Sequence, residues 1–224
     1  MLRNERLTEL AKKRREAVDL LRRKGIRHCI TEILRITSIY RTAILSELKL
    51  DRPIPNVPAH VPIVIDLLNP NAVDELAAFC DRVHYRSLAA SEIRSRLNQG
   101  HLCFVARHNG QIIHFSWAAF DSCYVEEVGL RIHLAPSEGY VYDMYTSPEF
   151  RSKGVARARI GWTLTYLRNA GYKRVYSFVL PENIASQRAS KDLGFTTDGW
   201  LSRITLGPLA LTLYRPIRNE SKPH

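Results

Sequence analysis

Tyr142-Asp143-Met144-Tyr145-Thr146-Ser147-Pro148-Glu149-Phe150-Arg151-Ser152-Lys153-Gly154-Val155-Ala156-Arg157 changes character twice. The run Tyr140–Thr146 has strand composition and stops before Pro148. A short polar loop follows with Arg151, two spacers, Gly154, one spacer and Ala156. From Val155 to Asn169 the apolar spacing is helical, and Gly171 stands just past its end. Amides at such a strand-to-helix junction have no intrahelical partner, and the helix dipole adds positive potential there. The junction is therefore an anion site suited to a pyrophosphate. Gly154 allows close backbone approach, and Arg151 and Lys153 add charge-assisted contacts. The loop has neither the nucleotide P-loop pattern nor the dinucleotide glycine pattern.

Working outward, Val175–Leu180 reads as a strand, Ile184–Leu193 as a helix, and residues 195–203 and 209–215 as strands. Upstream, Ile63–Leu68 is a short strand, and residues 71–82 and 88–98 are helices. Leu102–Ala106 and Ile112–Phe120 are strands joined at Asn109-Gly110, the strongest hairpin signal in the chain. Residues 124–134 form an irregular hairpin holding Glu126, Glu127 and His133, which read as solvated. This mixture indicates an α/β or α+β sheet domain over residues 63–218. The Pro-rich segment 51–62 reads as a linker.

The first 50 residues read as a basic helical arm. Residues 4–23 show an apolar stripe at Leu7, Leu10, Ala11, Ala17, Val18 and Leu21, and Gly25 looks like a cap. A second helical spacing runs over 26–48 through Ile26, Ile30, Ile33, Leu34, Thr37, Ile44 and Leu48. The net charge is +11, and most of it lies in this arm. It suggests weak contact through residues 4–24 with an anionic membrane or an acidic protein, and no specific nucleic acid. The second helix is expected to dock, on the domain or in a homodimer. The 45% hydrophobic and 25% charged content is that of a globular chain and excludes a disordered one. No apolar run is long enough to span a bilayer, and the start leads into no signal-type apolar region. Cys29, Cys80, Cys103 and Cys123 lack paired spacing, so they read as reduced thiols with no metal site. A cytoplasmic location follows, peripheral to a membrane if the arm attaches.

The order strand, loop, long helix, strand, then Asn183-Ile184-Ala185-Ser186-Gln187-Arg188-Ala189-Ser190-Lys191-Asp192-Leu193-Gly194-Phe195 resembles the GCN5-related N-acetyltransferase (GNAT) superfamily. Residues 141–170 are similar to its motif A, with the loop residues at Arg151, Gly154 and Ala156. Residues 183–195 are similar to its motif B. The resemblance implies a mixed, mostly antiparallel sheet flanked by helices. It also implies transfer of an acyl group, foremost acetyl from acetyl-CoA, to a primary amine by direct attack in a ternary complex. Met144, Tyr145 and Thr146 would lie beside the pantetheine arm, and the strand's bulge would polarise the thioester. The pyrophosphate would sit on Arg151, Ser152, Lys153, Gly154, Val155 and Ala156. Asn183 and Ser186 would face the cofactor.

One departure from the family pattern affects the chemistry. Ser190 stands where many members carry a tyrosine that protonates the departing thiolate. Tyr142 and Tyr145 are the spare candidates. Asp143 is the carboxylate nearest the place of the family's base, and it reads equally as a residue ordering the neighbouring hairpin. Arg157 and Arg159 read as exposed decoration of the motif A helix. The acceptor is first a small amine such as an amino sugar, second a protein N-terminus or lysine. A longer-chain acyltransferase and a non-catalytic acyl-CoA-binding module remain alternatives.

Overall fold

A computed structural model describes residues 40–85, 88–206 and 209–216. The helix expected over 4–23, and the part of the second expected helix that precedes Tyr40, lie outside the described residues.

The strands are β1 (Tyr40–Lys49), β2 (Val64–Leu67), β3 (Leu102–His108), β4 (Gln111–Ala119), β5 (Ser122–Val125), β6 (Leu130–His133), β7 (Glu138–Thr146), β8 (Arg174–Val179), β9 (Thr196–Leu206) and β10 (Leu209–Pro216). The helices are α1 (Val73–Arg82), α2 (Ala90–Asn98), α3 (Val155–Asn169) and α4 (Ile184–Asp192). One sheet has the order β10-β9-β1-β8-β7-β4-β3-β2, and β5 pairs with β6 separately. Pairing is antiparallel between β2 and β3, β3 and β4, β4 and β7, and β1 and β8, but parallel between β7 and β8. The parallel pair needs a crossover, and α3 supplies it.

Local chemistry explains the elements. Asn109 and Gly110 both adopt positive φ, 49° and 81°, as a two-residue hairpin requires. The Asn69 side chain accepts the Asn71 amide ahead of α1, whose first turn carries Asp74 and Glu75 at the positive dipole end. Val73, Leu76, Phe79 and Cys80 of α1 pack with Ile93 of α2 on Phe115 and Trp117. Ile160, Leu164 and Leu167 of α3 pack with Phe104, Val141 and Val175. Each fully buried large side chain in these layers contributes about 1.5–3 kcal/mol. No described helix is long and apolar enough to cross a membrane.

Residues 40–49 correct the helix expected over 26–48. They form β1, whose partners run from Ile44 with Val179 to Lys49 with Arg174. Ile44 and Leu48 are four apart, which suits a helix, but Ile44, Ser46 and Leu48 also alternate as one strand face. Neighbouring strands on both sides satisfy the β1 backbone, and that tertiary pairing outweighs local spacing. Residues 54–61 also lie against the fold. Ile54 and Val57 pack near the α3 core, and the His60 amide donates to the Lys153 carbonyl at 2.8 Å.

By contacts the described chain divides into two compact units. The larger holds residues 43–201 and 214–216. In the smaller, residues 40–42 and 202–213, Ser202 Oγ lies 3.3 Å from the Tyr40 hydroxyl and 3.0 Å from that of Thr42.

Candidate active site

β7 and β8 pair only where Glu138–Tyr140 meet Arg174–Tyr176. Past that point β7 follows β4 and β8 follows β1, so the two strands part. Between them lies a cavity of about 240 Å³. Its walls are Tyr140–Met144 of β7, Ser177–Leu180, and Asn183 and Ser186 at the start of α4. Tyr85 and the β5–β6 hairpin residues Tyr124, Glu126 and Glu127 complete it.

The β7 wall is irregular. Phe115 pairs with Tyr145 and Trp117 with Tyr142, so Asp143 and Met144 together face the single residue Ser116. This is a β-bulge, and Asp143 takes φ 50° within it. The bulge turns the Asp143 carboxylate toward α2. Arg96 Nη1 donates to Asp143 Oδ2 at 2.5 Å, and the Tyr85 hydroxyl donates to Oδ1. Arg96 Nη2 also donates to Glu92 at 2.6 Å, and its guanidinium lies over the rings of Trp117 (5.2 Å) and Tyr142 (5.4 Å). Both Asp143 oxygens thus already accept hydrogen bonds, and its neighbour Tyr85 reaches the cavity.

Tyr142 is 2.6 Å from His101 Nδ1. Burial pushes the phenol well up, against the nearby Arg96 charge, so Tyr142 remains protonated. Burial, and then Arg96, hold His101 below the usual imidazole value, so the ring stays neutral.

Beneath β7 lies a second polar arrangement. Arg159 of α3 is fully buried, and this corrects its expected exposure. Its Nε donates to His114 Nε2 at 2.9 Å, and Nη2 lies 3.6 Å from Met144 Sδ. Because His114 Nε2 accepts, Nδ1 carries the proton and donates to Thr146 Oγ1 at 2.7 Å. Burial, with the Arg159 charge adding, holds His114 well below the usual imidazole value. One buried cation therefore anchors two β7 residues, Met144 and Thr146. Helical arithmetic offers a signal: Arg159 stands four residues after buried Val155 and four before buried Thr163. Arg157 does face outward and pairs with Asp192 at 3.2 Å.

The loop after β7 is held from both sides. Gly154 precedes α3 at φ 75°, and a Cβ there would come 3.3 Å from the Pro58 carbonyl oxygen. Arg151 folds back, its Nε donating to the Thr146 carbonyl at 3.3 Å and its Nη2 to the Tyr145 hydroxyl at 3.2 Å. Lys153 Nζ lies 4.9 Å from the Phe150 ring centroid. The first amides of α3 lack intrahelical acceptors and add to this positive end.

Among the residues singled out in the sequence, Asp143, Met144, Asn183 and Ser186 are brought together in the cavity wall. Asn183 also caps α4, its Oδ1 accepting the Ser186 amide at 3.1 Å. Tyr145, Thr146, Arg151, Ser152, Lys153, Gly154, Val155 and Ala156 continue from the β7 wall into the loop, outside the cavity lining. Tyr145 packs on Tyr85 with ring centroids 4.5 Å apart. Ser190 is buried and does not line the cavity. Glu126 and Glu127, which read as solvated, do line it. Tyr85, Arg96 and His101 join the site from elements far from the signature stretch, where no local pattern marks them.

A family model described as the acetyltransferase (GNAT) family matches residues 70–195. No curated protein matches the sequence. Among solved structures, a GNAT-family acetyltransferase from Novosphingobium aromaticivorans shares 20% identity at a TM-score of 0.52. That match covers 72% of this chain and 63% of the other. A GNAT-family acetyltransferase from Streptococcus pneumoniae shares 17% identity at a TM-score of 0.50, covering 68% of this chain and 96% of the other. These likenesses are of fold, and the family model spans more than half the chain, from the turn before α1 to the end of α4. The chain belongs to the acetyltransferase (GNAT) family.

Proposed function

We propose that the protein transfers an acetyl group from acetyl-CoA to the primary amine of a small cationic acceptor. The observation that carries this reading is the cavity where β7 and β8 part, with the β7 bulge in its wall and Glu126 and Glu127 among its lining residues. The thioester would lie along Met144–Thr146 and the pyrophosphate at Arg151–Ala156. Asn183 and Ser186 would flank the cofactor arm. Amides fixed beside a developing oxyanion, together with two reactants held in one cleft, supply most of the rate in such a reaction.

The amine nitrogen attacks the thioester carbon, the C–S bond breaks, and the thiolate takes a proton as the amide forms. Tyr142 is the proton donor in this reading, since it is protonated and lines the cavity. The acceptor's proton leaves by Tyr85 and Asp143, whose carboxylate accepts from both the Tyr85 hydroxyl and Arg96. Glu126 and Glu127 attract the ammonium form to the rim.

The test is a panel of amines, including amino sugars, polyamines and N-terminal peptides, with acetyl-CoA and longer acyl-CoAs. Thiol release coupled to an acetylated small amine is the expected result. Turnover confined to long acyl chains, or to peptide N-termini, would replace the acyl donor or the acceptor in this reading. Acyl-CoA binding without turnover across the panel would make the protein a binding module.

A further inference from the structure

Among the described residues, four buried side-chain polar atoms have no hydrogen-bond partner: Ser116 Oγ, Trp117 Nε1, Arg159 Nη1 and Thr163 Oγ1. Such groups are rare in folded proteins and call for a partner. Trp117 stands apart, because its ring packs with Phe79 and Ile93 on the α1 and α2 side, under Arg96. Ser116, the residue before it, points to the opposite face of β4. That face is covered by α3, which carries Arg159 and Thr163.

The three remaining groups lie at one level. Val155 packs with Ala106, the partner of His114, while Trp162 and Tyr166 pack on Phe104, the partner of Ser116. Arg159 stands between those levels, and Thr163 follows one turn later on the same helix face. Ser116 also faces Met144 of β7, and Met144 Sδ is the atom that Arg159 Nη2 meets. The guanidinium thus directs Nε to His114 and Nη2 to Met144, which leaves Nη1 in the layer that holds the two hydroxyls. Thr165 donates to the Gly161 carbonyl at 2.9 Å, but Thr163 makes no such bond within the helix.

Charge decides what fits there. The Arg159 side chain meets a neutral imidazole and a thioether. Burial pushes its guanidinium down to about 9, with no described carboxylate to oppose that shift. The group is therefore still a cation at neutral pH, and a buried cation without a counter-charge is strongly destabilising. Guanidinium N–H and both hydroxyls can all donate. A water cannot balance the charge, whereas an anion accepts from all three groups and does balance it. Full burial also favours an anion that sheds its hydration easily, chloride over fluoride.

We propose that Arg159 Nη1, Thr163 Oγ1 and Ser116 Oγ bind one small monovalent anion of the chloride class between α3 and the sheet. The ion lies behind Met144, a residue of the cavity wall, and so braces the β7 bulge.

The test compares melts of the full-length chain in sodium chloride and in sodium fluoride at equal ionic strength. The chloride-minus-fluoride difference in melting temperature should be roughly 2–4 °C larger in wild type than in Arg159→Met. Thr163→Val, which removes one donor and keeps the side-chain shape, should need about tenfold more chloride for the wild-type rise. An equal difference in wild type and Arg159→Met would assign the effect to the basic surface and overturn the inference. As a direct measurement, crystals grown in sodium bromide should show an anomalous peak within hydrogen-bond distance of Arg159 Nη1. A water there, or no peak, overturns the inference. If Arg159→Met does not fold, the bromide crystal and the Thr163→Val titration decide.

Discussion

His114 links burial to acid sensitivity. Its Nε2 accepts from Arg159, so a second proton would break that bond and set two cations side by side in the core. The imidazole value is depressed in the fold, so below about pH 6.5 the unfolded chain binds a proton that the native state refuses. Stability should then fall as the pH is lowered through that range, by up to about 1.4 kcal/mol per pH unit. In His114→Gln, whose amide oxygen can still accept from Arg159, the slope should shrink to the part that His101 contributes. Urea melts from pH 5 to 8 read this directly, and an unchanged slope would remove His114 from the effect. Arg159→Met should leave stability within about 1 kcal/mol or raise it, since a buried cation is exchanged for an apolar chain of similar length. Arg159→Ala should cost about 2–5 kcal/mol through the cavity it leaves. Thermal melts of the pair separate the two effects. At Asp143, replacement by Asn removes the charge that faces Arg96. If the carboxylate lies on the acceptor's proton path, kcat/KM falls most at low pH while acetyl-CoA affinity changes little, and a wild-type pH–rate profile would exclude that role.

At the scale of elements, the α3 entry makes two separable predictions. Gly154→Ala should cost about 1 kcal/mol or more, because φ 75° disfavours a side chain and the Pro58 carbonyl is close. Arg151→Ala keeps the backbone and should weaken acetyl-CoA binding several-fold, read by calorimetry at two salt concentrations. Loss of affinity in the first variant without loss of stability would contradict the strain argument. The strands and helices from Val64 to Pro216 were legible because each carries its own signal: Asn109-Gly110 for the hairpin, Pro148 and Gly154 around the loop, Asn183 at the α4 cap. β1 was not, because Ile44 and Leu48 fit either period and only β8 and β9 decide between them. Of the motif residues, Asp143, Met144, Asn183 and Ser186 line the cavity and were legible because they fall in two short contiguous runs, whereas Tyr145–Ala156 lie outside that lining. Tyr85 reaches the cleft, and Arg96 and His101 reach its wall residues Asp143 and Tyr142, through the tertiary fold alone. The β7 bulge that redirects Asp143 depends on its register against β4, which no local pattern encodes.

For the whole molecule, β1 makes residues 43–49 part of the main unit. Removing residues 1–50 should therefore abolish cooperative folding, since β8 would lose its partner along the edge away from β7. Removing only residues 1–24 should leave the melting temperature within a few degrees. A cooperative melt of the shorter chain at the wild-type temperature would contradict the place of β1 in the sheet. The same strand has a consequence for biogenesis. Ile44 is synthesised well before its partner Val179. At roughly 5–20 residues per second, β1 stays unpaired for on the order of ten seconds of synthesis. Throughout that interval the nascent chain displays an apolar strand, which gives chaperones something to hold and makes the synthesis of β8 the earliest moment at which β1 can join it in the sheet.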